Sequence, residues 1–233
     1  KITDERQKII KSIHTKFDKQ LSNIEQNDLP KIGFNSVKII SLFDNLINKS
    51  DINYRNGHVS GSTYSNNTDL DKMLVQVFPY FNKSNPLHTN LYPSVRKMEQ
   101  ECVSIIIKLF NGNINTCGSF TSGGTESILL ACKTYRDRAR KEFNITKPEM
   151  IVSSTVHCAF NKACNYFNIK MVMIPYNDNG NNDYSLFEKA INKNTIMIVG
   201  STPNYNLGLI DNIIDLNTIA IKHKIPLHLD ACI

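Results

Sequence analysis

From Met150 onward, short apolar runs alternate with stretches whose apolar residues recur at helical spacing, and no other feature of the chain restricts its fold as much. The runs are Met150–Ser153, Met171–Pro175, Thr195–Gly200 and Leu227–Ala231, separated by helical stretches over Ala159–Phe167, Tyr184–Ile191 and Ile213–Lys222. Such alternation predicts parallel strands joined by crossover helices, and therefore an α/β domain with a mostly parallel sheet flanked by helices. An open sheet of this kind binds ligands beyond the carboxyl ends of its strands. Attention therefore falls on the residues just past each run: His157, Ser201 with Thr202, and Asp230.

The segment that precedes this alternation carries Thr121-Ser122-Gly123-Gly124-Thr125-Glu126-Ser127, followed by the helical stripe Ile128, Cys132, Tyr135, Ala139 and Phe143. Two adjacent glycines let an anion approach the backbone without interference from a Cβ atom. Free N–H groups in the first turn of the helix, with the hydroxyls of Ser122, Thr125 and Ser127, make a cradle for a phosphate at the positive end of the helix dipole. Arg136, Arg138, Arg140 and Lys141 fall in the C-terminal half of that helix, where the dipole favours cations.

Farther upstream, Pro93 opens a helix with Val95, Met98, Cys102, Ile105 and Leu109 on one stripe, which Asn111-Gly112 stops. Thr68 and Asp71 resemble a capping box for a helix carrying Leu70, Leu74, Val77, Phe78 and Phe81. Asn56–Asn67, rich in Gly, Ser, Thr and Asn, reads as a loop in which His58 and Tyr64 stand out. Residues 1–50 mix amphipathic helical stretches with a break around Asn27–Pro30.

Composition excludes several classes. The 233 residues, 41% of them apolar, suffice for a sizeable core. The formal net charge of +6 is spread over lysines interleaved with acidic residues, which argues against a nucleic-acid surface. None of the six cysteines forms a Cys-x-x-Cys pair, so reduced and mostly buried thiols are expected, which favours a cytosol-facing compartment; no metal site is expected. No stretch reaches the roughly 18 apolar residues of a membrane span, so none is expected within the chain, although an anchor to the endoplasmic reticulum could lie upstream.

An acid at the end of an apolar strand is costly to bury unless it meets a cation or donors. Asp230 therefore asks for a partner such as a protonated ring nitrogen, with the capping of a nearby helix as the alternative. His157 by itself reads more readily as an ordinary core or surface histidine than as a site residue.

Taken together, Ser-Gly-Gly-Thr-Glu-Ser before a helix, His157-Cys158-Ala159-Phe160-Asn161-Lys162-Ala163 and His228-Leu229-Asp230-Ala231 resemble the fold type I pyridoxal-phosphate enzymes, in their group II decarboxylase branch. Val59-Ser60-Gly61-Ser62-Thr63-Tyr64, Ser84-Asn85-Pro86-Leu87-His88, Arg96-Lys97-Met98-Glu99 and Ser201-Thr202-Pro203 with Gly208-Leu209-Ile210-Asp211 narrow the resemblance to the sphingosine-1-phosphate lyases. The similarity runs from about Gly57 to the last residue. It implies a three-layer large domain over 56–233, incomplete at its C-terminal end, after an N-terminal helical segment over 1–55.

The resemblance also implies roles. Pyridoxal 5'-phosphate would be held at its phosphate by Gly123, Gly124 and Thr125, stacked by His157 and paired at its ring nitrogen by Asp230, with Thr202 touching cofactor or substrate. Tyr64, Asn85 and His88 would line the substrate side, and His88, Tyr64 and His157 are the catalytic candidates. The implied reaction is retro-aldol cleavage of a phosphorylated sphingoid base to a long-chain aldehyde and phosphoethanolamine, in a homodimer whose subunits share the site. The lysine that attaches the cofactor lies, in this family, downstream of the strand-end aspartate, and Lys133, Lys162 and Lys193 do not match it. A fragment lacking that lysine is therefore expected. An amino-acid decarboxylase of the same branch, or a catalytically inactive regulatory or interaction protein, stands as the alternative.

Overall fold

The computed structural model describes residues 4–12, 31–50, 64–65, 67–177 and 182–232, and its contacts divide the chain into two units, Lys1–Asn82 and Lys83–Ile233. The first unit contains helix α1 (residues 4–12), α2 (Ser36–Ser50) and α3 (Thr68–Phe81). The expected capping residue of α3 shifts by one position. Asn67, in extended conformation, is the N-cap, and its side-chain oxygen accepts from the N–H groups of Asp69 and Leu70, both at 3.1 Å. An asparagine amide there satisfies two of the helix's orphan donors, which leaves Thr68 as the first helical residue. The break at Asn27–Pro30 lies outside the described residues.

The second unit begins its regular structure with α4 (Pro93–Leu109) and α5 (Gly124–Phe143). It then alternates as β1 (Glu149–Ser153), α6 (Cys158–Phe167), β2 (Lys170–Ile174), α7 (Tyr184–Ala190), β3 (Thr195–Ser201), α8 (Ile213–His223) and β4 (Leu227–Asp230). Each element lies within about two residues of the span its apolar periodicity predicts. The four strands form one sheet in the order β2-β1-β3-β4, with every neighbouring pair parallel.

Strand side chains alternate between two cores. Met150 and Val152 of β1 and Met197 and Val199 of β3 pack with Ile128, Cys132, Ala159, Phe160 and Ala163 of α5 and α6. Ile151 and Ile198 face the other way, onto Phe187 of α7 and Leu216 and Ile219 of α8. Because helices cover both faces, β3 is buried along its whole length, which is why its sequence is apolar from Ile196 to Gly200 rather than alternating. Gly200 lets α8 lie close to β3, since a Cβ there would come within 2.9 Å of Leu216 Cδ1.

The crossover from β1 to β2 uses α6 on one face, whereas those from β2 to β3 and from β3 to β4 use α7 and α8 on the other. Right-handed connections that run in opposite directions from β1 demand opposite faces. The reversal falls between β1 and β3, and a crevice opens at their carboxyl ends. The register keeps those ends level, with Ser153 opposite Ile174 and Ser201 opposite Asp230.

The abundance of asparagine has a structural use. Asn67 and Asn212 cap helix N-termini, while Asn144 and Asn168 adopt the left-handed conformation that ends α5 and α6. The cysteines depart from expectation. All six are free, but among them only Cys132 is buried and Cys164 half-buried, while Cys102, Cys117, Cys158 and Cys232 are exposed. Burial pushes the Cys132 thiol up to about 12 and that of Cys164 to about 11, so both are inert. The four others sit on α4, at the start of α6 and in segments outside the strands. Among the described residues no helix is long and apolar enough to cross a membrane, and no group of three metal-ligating side chains occurs.

Candidate functional site

The glycine run sits at the start of α5, as its sequence predicts. Gly123 is the N-cap (φ 159°, ψ 174°), and no side chain caps the helix. The surrounding hydroxyls are organised instead around the approach to that end. Thr121 Oγ1 lies 2.7 Å from Ser127 Oγ and donates to Gly123 O at 3.1 Å. The Ser122 N–H donates to Glu126 Oε2 at 2.6 Å. Hydrogen bonds from the Ser122 hydroxyl and then its N–H hold the Glu126 carboxyl below its usual range. Glu126 is thereby turned back toward the preceding loop, and the first-turn N–H groups are left to an anion.

Gly124 and Ser127 line a cleft of about 440 Å³ together with Phe110, Ile128 and His228 through Cys232. The cradle and Asp230 therefore share one cavity. A Cβ on Gly124 would sit 3.0 Å from Cys232 Sγ, so a larger residue would narrow the cleft at this point. Asp230 is half-buried, and among the described residues its carboxylate receives no hydrogen-bond donor. Its main-chain oxygen accepts from the N–H of Thr202 at 2.8 Å and from Thr202 Oγ1 at 3.4 Å, which brings Thr202 beside it across the ends of β3 and β4. A dianion cradle and a half-buried carboxylate that line one cleft suit a ligand with a phosphate and a protonated ring nitrogen.

His157 occupies the turn from β1 into α6 and caps that helix, its Nδ1 accepting the Ala159 N–H at 3.1 Å. That bond assigns the proton of the neutral ring to Nε2. The ring also meets Tyr205, with centroids 6.1 Å apart and planes at 85°.

A second histidine, His228, lies on β4 between Tyr135 and Phe160, whose ring centroids stand 6.1 and 5.8 Å away, both near edge-on. Burial pushes its pKa below the ordinary imidazole value of 6.5, while the nearby Asp230 carboxylate pulls the other way. In the unfolded chain the proton binds more readily, so the stability gained by keeping His228 neutral is complete above the ordinary value. It is lost as the pH falls through that value toward the folded pKa. Denaturant midpoints measured from pH about 7.5 to about 5 should fall more steeply for the native chain than for His228→Leu. Parallel curves would contradict this.

Asn85 and His88 lie in the turn between α3 and α4. Asn85 Oδ1 accepts the Leu87 N–H at 3.0 Å, and the His88 carbonyl accepts the N–H groups of Leu91 and Tyr92. Both residues are exposed, and neither lines the cleft shared by Gly124 and Asp230. Tyr64, 75% exposed, belongs to the first unit. The stretch from Gly57 to Thr63, with His58, lies outside the described residues.

Residues 26–233 match the family described as "Pyridoxal-dependent decarboxylase conserved domain". The chain belongs to the pyridoxal-dependent decarboxylase family. Within that family it is 42% identical over 206 residues to the sphingosine-1-phosphate lyase of Drosophila melanogaster, an alignment that covers 88% of this chain and 38% of the relative. Among solved structures, the sphingosine-1-phosphate lyase of Burkholderia pseudomallei K96243 superposes with a TM-score of 0.85 at 30% identity, covering 91% of this chain and 51% of that one. A Lactobacillus brevis glutamate decarboxylase shares the fold at a TM-score of 0.75 and 21% identity, covering 89% and 50%. The architecture is thus that of the fold type I large domain, and the chain spans well under half the length of its lyase relative from Drosophila.

In this member of the pyridoxal-dependent decarboxylase family, two further residues around His157 and the end of β3 are plain only in three dimensions. Tyr205 reaches His157 from the loop after β3. Asp211, 3% exposed, closes that loop: its Oδ2 accepts the Ser201 N–H, and its Oδ1 accepts both the Tyr176 hydroxyl and the Asn182 amide, each at 2.7 Å. The only sequence signal for Asp211 is its place at the end of Gly208-Leu209-Ile210-Asp211, where Gly208 takes a positive φ of 68°. Nothing local marks Tyr205.

Proposed function

We propose that this chain is the cofactor-binding part of a pyridoxal-phosphate-dependent carbon–carbon lyase that cleaves sphingosine 1-phosphate and related phosphorylated sphingoid bases to a long-chain aldehyde and phosphoethanolamine. The observation that carries the reading is the single cleft shared by the glycine cradle and the Asp230 carboxylate. Identity of 42% and 30% to named lyases, against a likeness of fold alone to glutamate decarboxylase, favours carbon–carbon cleavage over amino-acid decarboxylation.

In this reading Gly123, Gly124 and Thr125 hold the phosphate through main-chain N–H groups and hydroxyl at the α5 terminus. Asp230 pairs with the ring nitrogen and keeps its proton in place, because a carboxylate beside a cation favours the charged forms of both. His157 lies against the ring, and Thr202, fixed to the Asp230 carbonyl, borders it. Pyridoxal phosphate, when bound, supplies a sink for the electrons released as a bond to the substrate's amine-bearing carbon breaks. By the same resemblance His88 and Tyr64 would hold a substrate phosphate oxygen or receive the proton of the C3 hydroxyl, and Asn85 would orient the substrate. Their exposure fits a homodimer in which such residues complete the neighbouring subunit's site. The division at residue 55 and a cytosol-facing location belong to the same proposal.

The test is product analysis. The whole protein, incubated with sphingosine 1-phosphate and pyridoxal phosphate, should release a long-chain aldehyde and phosphoethanolamine in equal amounts. Carbon dioxide released from glutamate or an aromatic amino acid in their place would overturn the lyase reading in favour of a decarboxylase. Cofactor binding with neither turnover would favour an inactive regulator.

A further inference from the structure

We infer that Tyr205 is a positioning residue for the His157 imidazole, held where it is needed by the buried Asp211 carboxylate at the base of its loop. The inference rests on the reading that His157 lies against the cofactor ring. A ring that stacks on a ligand must have its plane fixed beforehand, or binding bears the entropy of fixing it. The hydrogen bond from the Ala159 N–H to Nδ1 secures one edge of His157 and leaves the ring free to tilt about that edge. Tyr205 supplies the second restraint. Its centroid lies 6.1 Å from that of His157 with the planes at 85°, inside the range in which edge-to-face aromatic pairs attract.

Tyr205 is itself 56% exposed, so packing against a core does not place it. The loop does. Ser201 and Asp211 pin its base reciprocally: the Ser201 N–H donates to Asp211 Oδ2 at 2.7 Å, and the Asp211 N–H donates to Ser201 O at 3.0 Å. The Tyr176 hydroxyl donates to Asp211 Oδ1 at 2.7 Å and accepts from Asn204 Nδ2 at 3.3 Å. Asn204, 2% exposed, then closes the tip: its N–H donates to Leu209 O, its carbonyl accepts the Gly208 N–H, and its Oδ1 accepts the Leu207 N–H. A continuous hydrogen-bonded line therefore runs from Asp211 through Tyr176 to Asn204, the residue directly before Tyr205. Each member is satisfied by the next, which makes the loop stiff despite its exposed tip.

The experiment uses the whole protein that contains this chain and two readouts. Without cofactor, NMR of the histidine rings reports the ring-current displacement and the Nε2-protonated tautomer of His157. With pyridoxal phosphate, titration reports affinity, and the induced circular dichroism of the bound cofactor reports how rigidly it is held. Tyr205→Ala should erase the His157 displacement, weaken cofactor binding about three- to tenfold and diminish the induced signal, whereas Tyr205→Phe should restore all three because the ring edge remains. Tyr176→Phe, which removes one donor to Asp211, should shift His157 in the same direction by less. Unmoved His157 resonances in Tyr205→Ala would overturn the proposal, as would moved resonances with unchanged cofactor affinity and dichroism. If the native chain binds no pyridoxal phosphate while Tyr205→Ala still moves His157, the cofactor reading fails and the positioning of His157 by Tyr205 stands.

Discussion

Replacing Asp211 with alanine is expected to cost about 3–5 kcal/mol of folding stability, among the largest effects of any single change outside the apolar core. The carboxylate is 3% exposed and accepts three hydrogen bonds, from the Ser201 N–H, the Tyr176 hydroxyl and the Asn182 amide. Alanine leaves those donors buried and unmatched, at roughly 1–3 kcal/mol each before relaxation and entering water reduce the sum. Urea denaturation should show a lower midpoint with little change in slope, because the extent of the folded state is unaltered. Tyr176→Phe, which removes one donor and keeps the ring, should cost about 1 kcal/mol. A loss below about 1 kcal/mol for Asp211→Ala would mean that water substitutes for the carboxylate and that the loop does not depend on it.

That carboxylate marks the boundary of what the amino-acid order discloses. Strands and helices of the second unit are legible because their signals are local: β3 is apolar from Ile196 to Gly200 since both its faces are covered, and the α5 stripe repeats at helical spacing. Asp230 and Thr202 were legible as site candidates because parallel strands bring their carboxyl ends to one edge wherever they lie in the chain. The glycine cradle announced itself through composition. Asp211 and Tyr205 did not, because their roles depend on the path of a loop closed by Asn204 and Tyr176, residues whose meeting no periodicity encodes. The N-cap of α3 differed for a related reason: Asn67 and Thr68 are both capable caps, and the entry angle of the chain decides between them. The cysteines misled because residue type is a guide to burial only where an element is covered, and four of the six are exposed.

The crevice at the strand reversal also explains why the site and the core are so closely coupled. Phe160 is fully buried on α6, one turn past His157, and stacks edge-on against His228, two residues before Asp230. It thus ties the start of α6 to the strand that carries Asp230. Phe160→Ala is expected to cost about 3–5 kcal/mol, from the lost transfer energy of the ring and the cavity left among Cys132, Met150, Val152 and Ala163. The same change removes one wall of the burial that depresses His228. Its pKa should rise toward the ordinary imidazole value, and the stability lost between that value and the native folded pKa as the pH falls should shrink accordingly. Denaturation at neutral pH measures the first effect, and an NMR titration of the His228 ring measures the second. A stability loss with an unmoved His228 titration would place the origin of its depression in Tyr135 and the sheet rather than in Phe160; a loss below about 1.5 kcal/mol would show that the surrounding side chains collapse into the space, contrary to the close packing between the sheet and α6.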